Sequence, residues 1–563
     1  MATLFDSASL ALIPSGVKDG KVYSIKPTDG SGDFTFSRGT DTATRVNSSG
    51  LIEKERANLL TYSNTFTNSD WNKGNASITT GQSGYDGSND AILLTSIASG
   101  GQISQVYTAS SKLETFSVYV KAGSVDWIRM NISGGGNNYF DVANGIVGGG
   151  SGNLLPKIES VGNGYYRCSI TNITGNSANA VYVFIANADG VLSTSVGDSI
   201  YIQDAQLEQG LVATDYIETT TAPIYVGITD NLPRLDYSGG ASCPSLLLEP
   251  SRTNTHTYSN YFGASYYIKD SGISVTSNDA TSPEGAQNAS KVSVSSSGRI
   301  YANHTSGTYT SSIFIKAGTF SHFKFIGQNI DLTTSPISVG SLDFEDYGNG
   351  WYRIYGSYTG NRGFQIQAYP DNTYSTHTDS GDYYLYGAQL EAGSYPTSYI
   401  PTYGTSASRA GDSFNEQITG LTSLSQGTFF LDFDRGLTTA TSRDASNDGF
   451  HYSTTSGFPS TNAIEIASDI DGSVRLALRL GTFAGIYNDN TLSRYKMLVK
   501  WDGISVKAYV NGVEEYSSST RWGDATAALE YIGYRGDFRK SVNQALTFPT
   551  ALTDAECIAL TQL

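Results

Sequence analysis

Hydrophobic positions recur at every second residue in short runs along this chain, and almost nowhere with the spacing of a helix. In Val118-Tyr119-Val120, and again in Ile313-Phe314-Ile315, the aliphatic residues share one parity and the aromatic ones the other. Successive side chains of a strand point to opposite faces, so each run is a strand with an aliphatic and an aromatic side. Such a strand is central in its sheet, or its aromatic side binds something. The same alternation predicts strands at Ile92-Leu93-Leu94, Phe116 to Lys121, Trp127 to Ile132, Tyr165 to Ile170, Val181 to Ala186 and Ser199 to Leu207. A second series follows at Lys291 to Val294, Ser312 to Lys316, Phe323 to Ile326, Trp351 to Tyr355, Phe364 to Tyr369 and Tyr383 to Leu390. Glycine clusters such as Gly134-Gly135-Gly136 and Gly148-Gly149-Gly150 mark turns between them.

The two series are copies. Glu53, Arg56, Asn58 and Tyr62-Ser63-Asn64-Thr65-Phe66 return in register as Glu249, Arg252, Asn254 and Tyr258-Ser259-Asn260-Tyr261-Phe262. Gly162-Asn163-Gly164-Tyr165-Tyr166-Arg167 returns as Gly348-Asn349-Gly350-Trp351-Tyr352-Arg353, and Ala205-Gln206-Leu207-Glu208 as Ala388-Gln389-Leu390-Glu391. Matched blocks in one order mean a duplicated domain. About eight strands in about 160 residues predict a two-sheet sandwich of jelly-roll type. The Gly-Asn-Gly block reads as a hairpin turn, whose Tyr and Arg are structural.

The chain is therefore expected to be all-β, with three tandem β-sandwich domains after a short N-terminal attachment segment. The boundaries are residues 1–52 for that segment, 53–222 for repeat 1, 223–246 for a linker, 247–410 for repeat 2 and 411–563 for a third module of different origin. Residues 1–52 hold strands too few to bury a core alone, so they should lie against repeat 1 or another chain. Arg45, Arg234 and Arg409 mark the junctions and are expected to tie linkers to domains, giving a stiff, elongated particle. In the third module Asn511-Gly512 predicts a hairpin, and only Thr553 to Leu560 reads as a helix, with Thr553 as N-cap and Glu556 completing a capping box.

Composition agrees with this picture and narrows the chemistry. Of 563 residues 12% are aromatic and only 15% charged, with 61 Gly for the many turns. With 52 acidic against 35 basic residues the net charge is -17, which disfavours nucleic acid and anionic lipid as partners. Three cysteines leave no complete disulfide framework. No apolar stretch reaches the length of a membrane span, and Met1 to Asp6 does not open a secretory signal, so synthesis in the host cytoplasm is expected.

Catalytic patterns are missing. Glu465-Ile466-Ala467-Ser468-Asp469-Ile470-Asp471 is the nearest approach to the paired acids of a glycan hydrolase, but it lacks the second Glu, and its acids read as a solvated turn. His256, His304, His322, His377 and His451 show no metal-ligand spacing. Trp71, Trp127, Tyr266, Tyr267 and Trp522 are the candidate sugar-stacking residues. Trp71 corresponds approximately to Tyr266, and this pair is the preferred exposed platform.

Asp33-Phe34-Thr35-Phe36-Ser37-Arg38-Gly39-Thr40 with Ala43-Thr44-Arg45-Val46-Asn47, and Pro233-Arg234-Leu235-Asp236-Tyr237 with Cys243-Pro244-Ser245-Leu246-Leu247-Leu248-Glu249-Pro250, resemble fibre and spike proteins on virions of tailed bacteriophages. The repeats look like carbohydrate-binding modules of the family 4 and 9 jelly-roll type. In that group an Asp on the last strand helps hold a structural calcium. Asp204 matches it in repeat 1, whereas repeat 2 has Gly387. The third module is similar to laminin-G or concanavalin-like lectin domains, through Val499 to Gly503, Tyr509 to Gly512 and Ala551 to Glu556. These resemblances imply a non-enzymatic virion fibre or spike, homotrimeric, attached to the particle by its N-terminal part and adhering to host-surface polysaccharide. The alternatives are a capsid or tail decoration protein that binds only virion proteins, and a glycan depolymerase.

Overall fold

The computed structural model describes residues 2–110, 112–173, 175, 178–361, 363–423, 425–435, 449–454, 462–468, 473–480, 482–519, 528–535 and 540–563. Among them the structure is all-β apart from two short α-helices, Ala2–Ser7 and Asp554–Thr561, and one 3-10 turn.

Each repeat is a jelly-roll-type sandwich of two antiparallel sheets. In repeat 1 the first sheet runs Leu154–Gly162, Tyr165–Ile173, Leu113–Ala122, Ser199–Gln209, Ala91–Ser96, Ala76–Gln82. Its partner runs Ile146–Ser151, Asn137–Asp141, Trp127–Ile132, Ala178–Ala186, Gln102–Thr108, Trp71–Gly74. Repeat 2 follows the same order, with Asp343–Asp346, Trp351–Gly360, Gly307–Ala317, Gly381–Ala392, Ala289–Val294, Ile273–Ala280 in one sheet. The other holds Gln328–Asp331, His322–Phe325, Phe364–Tyr369, Arg299–Ala302 and Ile268–Lys269. Where repeat 1 has Ile146–Ser151, repeat 2 shows among the described residues only the isolated bridge of Asp331 with Ser338.

The duplicated motifs are the frame of the sandwich. Asn58 is fully buried and donates through Nδ2 to the carbonyls of Ala205 (3.0 Å) and Ile217 (2.8 Å), while its Oδ1 accepts from the amides of Leu60 and Leu207. Asn254 repeats this with Ala388 (3.1 Å), Ile400 (2.9 Å), His256 and Leu390. Gln206 and Gln389 each donate to the Glu two residues on and accept from the amide of Ile217 or Ile400. These side chains satisfy backbone groups that would otherwise be buried without partners. Asn163 and Asn349 take φ values of 52° and 53° in their hairpins, as a Gly-Asn-Gly turn requires.

The alternating strands Leu113–Ala122 and Gly307–Ala317 are central, and their aromatic sides are covered from within. Tyr119 stacks on Tyr85 with ring centroids 4.0 Å apart, beside Tyr165. Phe314 sits among Trp351, Tyr386 and Tyr399.

Residues 1–52 do not lie where the sequence reading put them. Leu10–Leu12 pairs with Lys540–Phe548, and Phe34–Ser37 pairs with Ser413–Gln417. The linker strand Ser245–Leu248 also ladders onto Lys540–Phe548. Leu10, Leu12, Val22, Phe34, Phe36, Leu246 and Leu248 thus share one core with Phe429, Leu431, Val499 and Trp501. Short alternating strands need a sheet edge and an apolar layer, and the third module supplies both. Strands of the N-terminal segment and of the linker are thus part of the third module's sheets.

Where these segments converge, Arg38, Arg234 and Arg409 are buried together with Glu249 and Asp412. Arg234 pairs with Glu249 (2.7 Å) and Asp412, Arg409 with Glu249 (2.9 Å), and Arg38 with Asp412 (3.4 Å). The arginines at positions 234 and 409 act as ties, as expected, and Arg38 joins them. Arg45 is a tie as well, more exposed than the others: it pairs with Glu53 (2.8 Å) and donates to the Leu235 carbonyl of the linker (3.3 Å). The C-terminal helix begins at Thr553 with the predicted capping box.

Candidate functional site

The second sheet of repeat 1 turns its aliphatic residues inward, with Ile128, Met130, Val181, Val183 and Ile185 fully buried. Alternation then fixes what faces out. Pairing places Gln102, Phe184, Arg129 and Tyr139 in one row across the strands, Ser104, Tyr182, Asn131 and Asn137 in the next, and Trp127 with Asp141 on the other side. Tyr182 and Phe184 are half-buried and lie nearly parallel, with centroids 5.6 Å apart and planes 15° apart. Arg129 lies over Phe184 with Cζ 3.8 Å from the ring centroid. Neither Arg129 Nε nor Gln102 Oε1 has a hydrogen-bond partner among the described residues. The face therefore offers flat apolar planes with a guanidinium laid over one of them, and the two unpaired atoms, Arg129 Nε and Gln102 Oε1, are buried beneath it.

The corresponding face of repeat 2 has the same grid with other contents. Gln367 and Lys324 stand where repeat 1 has Phe184 and Arg129, Gln365 replaces Tyr182, and His322 replaces Trp127. Arg299 is bound by Asp270 at 2.8 Å, and His322 Nε2 lies 3.4 Å from Asp331.

The residues singled out from the sequence are scattered. Trp127 is half-buried at the rim of the repeat 1 face. Trp71, expected on an exposed platform, is 1% exposed, packs on Phe66 and donates its indole N–H to the Tyr62 carbonyl at 2.9 Å. Its counterpart is Tyr267, not Tyr266: Tyr267 is 2% exposed and donates to the Tyr258 carbonyl at 2.6 Å. Both are core residues because the Tyr-Ser-Asn block turns the following strand under the sandwich, where a large ring fills the layer. Tyr266 is half-buried, its hydroxyl 2.9 Å from His256 Nδ1 and 3.1 Å from His304 Nε2. Burial beside His304 holds His256 well below the usual imidazole range. Trp522 lies outside the described residues.

Asp204 is buried, accepts from Tyr85 Oη at 3.0 Å, and is pushed up to about 7 by burial. It takes φ 48° at a register shift where Gly387 takes φ 61°, so the two positions share a bulge. No group of three or more His, Cys, Asp or Glu that could hold a metal ion occurs among the described residues. Glu465 is not in a solvated turn: it is 1% exposed on the strand Asn462–Ser468 and paired with Arg479. Asp469 and Asp471 fall outside the described residues.

Tyr182, Phe184, Arg129 and Gln102 were missed from the sequence. Their signal was present in Val181-Tyr182-Val183-Phe184-Ile185, which alternates as clearly as Val118-Tyr119-Val120.

No family model matches the chain, and no curated protein matches its sequence. Among solved structures, the tandem CBM22-1-CBM22-2 domain of Paenibacillus barcinonensis Xyn10C is 12% identical, with 60% of this chain and 97% of that chain covered and a TM-score of 0.23. The CBM40 module of the Ruminococcus gnavus IT-sialidase is 16% identical over 25% of this chain and 84% of that one, at a TM-score of 0.19. The LG1-3 region of the laminin alpha2 chain is 8% identical, covers 82% and 97% respectively, and gives a TM-score of 0.14.

Proposed function

We propose that the chain is a non-enzymatic fibre or spike component of a tailed-phage virion that adheres to host-surface polysaccharide, with the outer face of repeat 1 as its glycan site. The observation that carries the glycan reading is the parallel pair Tyr182 and Phe184 beside unpaired polar atoms of Arg129 and Gln102. Aromatic planes accept the apolar faces of pyranose rings, and fixed donors and acceptors select among hydroxyls. The virion setting rests on the sequence motifs around Phe34 and Arg234.

An open, shallow face of this kind suits weak binding. A millimolar site is worth about 4 kcal/mol, and a homotrimer would multiply it through effective concentration. The engagement of Glu465 with Arg479 supports adhesion over hydrolysis. Because the strands of residues 1–52 are laddered into the third module, the particle-bound end in this reading is that composite body rather than a free tether.

Titration of the intact protein with host surface polysaccharide in a calorimeter tests the reading. Saturable binding that disappears in a Tyr182→Ala, Phe184→Ala double variant of unchanged thermal stability is the expected result. Binding that is absent in the parent protein, or that persists in the double variant, overturns the assignment of this face. Release of reducing ends by the parent protein would overturn the non-enzymatic part.

A further inference from the structure

Resting on the glycan reading above, we propose that the sugar held on the repeat 1 face is acidic, and that Arg129 grips its carboxylate. The case begins with charge pairing. In a chain of net charge -17, most buried and half-buried arginines are answered by acids: Arg38 and Arg234 by Asp412, Arg409 by Glu249, Arg299 by Asp270, Arg479 by Glu465. Arg129 departs from that pattern, as do Arg167 and Arg252, but those two donate to Ser117 Oγ and to the Ser251 carbonyl. Among the described residues Arg129 makes no ion pair and no hydrogen bond, and its one recorded contact of charge is with the Phe184 ring.

Position makes the exception informative. Arg129 stands on a strand flanked on both sides, with Phe184 and Tyr139 directly opposite it, so it occupies the middle of the face and not an edge. Contact with Phe184 restrains the guanidinium, whose Nε is buried while its terminal nitrogens are not among the buried unpaired atoms. A planar fork of N–H groups fixed in this way matches the two oxygens of a carboxylate. Tyr182, one row on and parallel to Phe184, leaves an adjacent plane for the pyranose ring that carries the carboxylate. No acid faces Arg129 from the strands paired with its own: Asp141 lies in the Trp127 row, where its carboxylate accepts from the amides of Ala143 and Asn144.

The ligand class is therefore a polysaccharide containing uronic or other carboxylated sugars. The experiment uses the intact protein and three probes: an oligosaccharide of uronate residues, the same oligosaccharide with its carboxyls reduced to alcohols, and a sulfated neutral oligosaccharide of equal length. Charge-assisted bonds of this kind predict that the uronate form binds about tenfold or more tighter than the reduced form. Arg129→Gln should bring the two within about twofold, and Arg129→Lys, which keeps charge but not the fork, should fall between. Equal binding of acidic and reduced forms, or tighter binding of the sulfated probe, overturns the carboxylate assignment while leaving glycan adhesion standing. Failure of all three probes and of neutral sugars overturns both. The reduced-ligand comparison needs no variant, so it decides the matter even if Arg129→Gln does not fold.

Discussion

Repeats 1 and 2 share a skeleton and differ on one surface. Asn58 and Asn254 make the same four bonds, Trp71 and Tyr267 fill the same space, and Asp204 and Gly387 mark the same bulge. On the outward side of the second sheet, however, Tyr182, Phe184 and Arg129 have become Gln365, Gln367 and Lys324. The difference teaches where each constraint acts. Inward positions are held by packing and by buried polar bonds, whereas outward positions are free to change with whatever touches them.

The largest effect should fall on the shared part. Asn58→Ala and Asn254→Ala each strand buried carbonyls and amides, and both should lower stability by about 3 kcal/mol. Chemical denaturation of the two variants checks this. Clearly unequal losses would mean that the copies no longer rely on one frame.

Acid should separate the repeats next. His256 is fully buried and its folded-state pKa is depressed below 6.5, mainly by burial, whereas repeat 1 has Leu60 at that position. The unfolded state then binds the proton more readily, so stability is present above 6.5 and is lost as pH falls below it, by up to about 1.4 kcal/mol per pH unit. His256→Leu should flatten this dependence, as read from melting curves between neutral and mildly acidic buffer.

On the outer faces, Phe184→Ala should weaken glycan binding about tenfold, or about 1.4 kcal/mol, while Gln367→Ala in repeat 2 leaves it unchanged. Calorimetric titration of both variants breaks the contrast if their losses are equal. The smallest change is expected for Arg299→Gln, which gives repeat 2 the residue type of Gln102. The Arg299–Asp270 pair is about one-third exposed, so its removal should cost less than about 1 kcal/mol in the same denaturation assay.

Much of the architecture was legible because alternation and duplicated motifs are local. Every strand expected in the two repeats forms, and the capping box at Thr553 forms too. What escaped was long-range. Nothing near Leu10 or Phe34 announces a partner at Thr547 or Phe414, and nothing near Arg234 announces Asp412. The site was half legible: Trp127 lies at its rim, and Tyr182 and Phe184 show in the pattern. Favouring Trp over Tyr and Phe as the stacking residue led to Trp71, whose depth depends on a turn that sequence does not orient. That Arg129 has neither an acid nor a hydrogen-bond partner is visible only in the folded chain.

The entry of Leu10–Leu12 and Phe34–Ser37 into the last sandwich makes the polypeptide a closed loop in folding order as well as in space. The first-made strands leave the ribosome long before Ser413–Gln417 and Lys540–Phe548 exist. At about 5 to 20 residues per second they wait roughly 20 to 100 s with apolar edges uncovered. During that interval these strands are a natural client for a chaperone, and a message truncated before the final module should yield aggregates instead of a shorter soluble fragment.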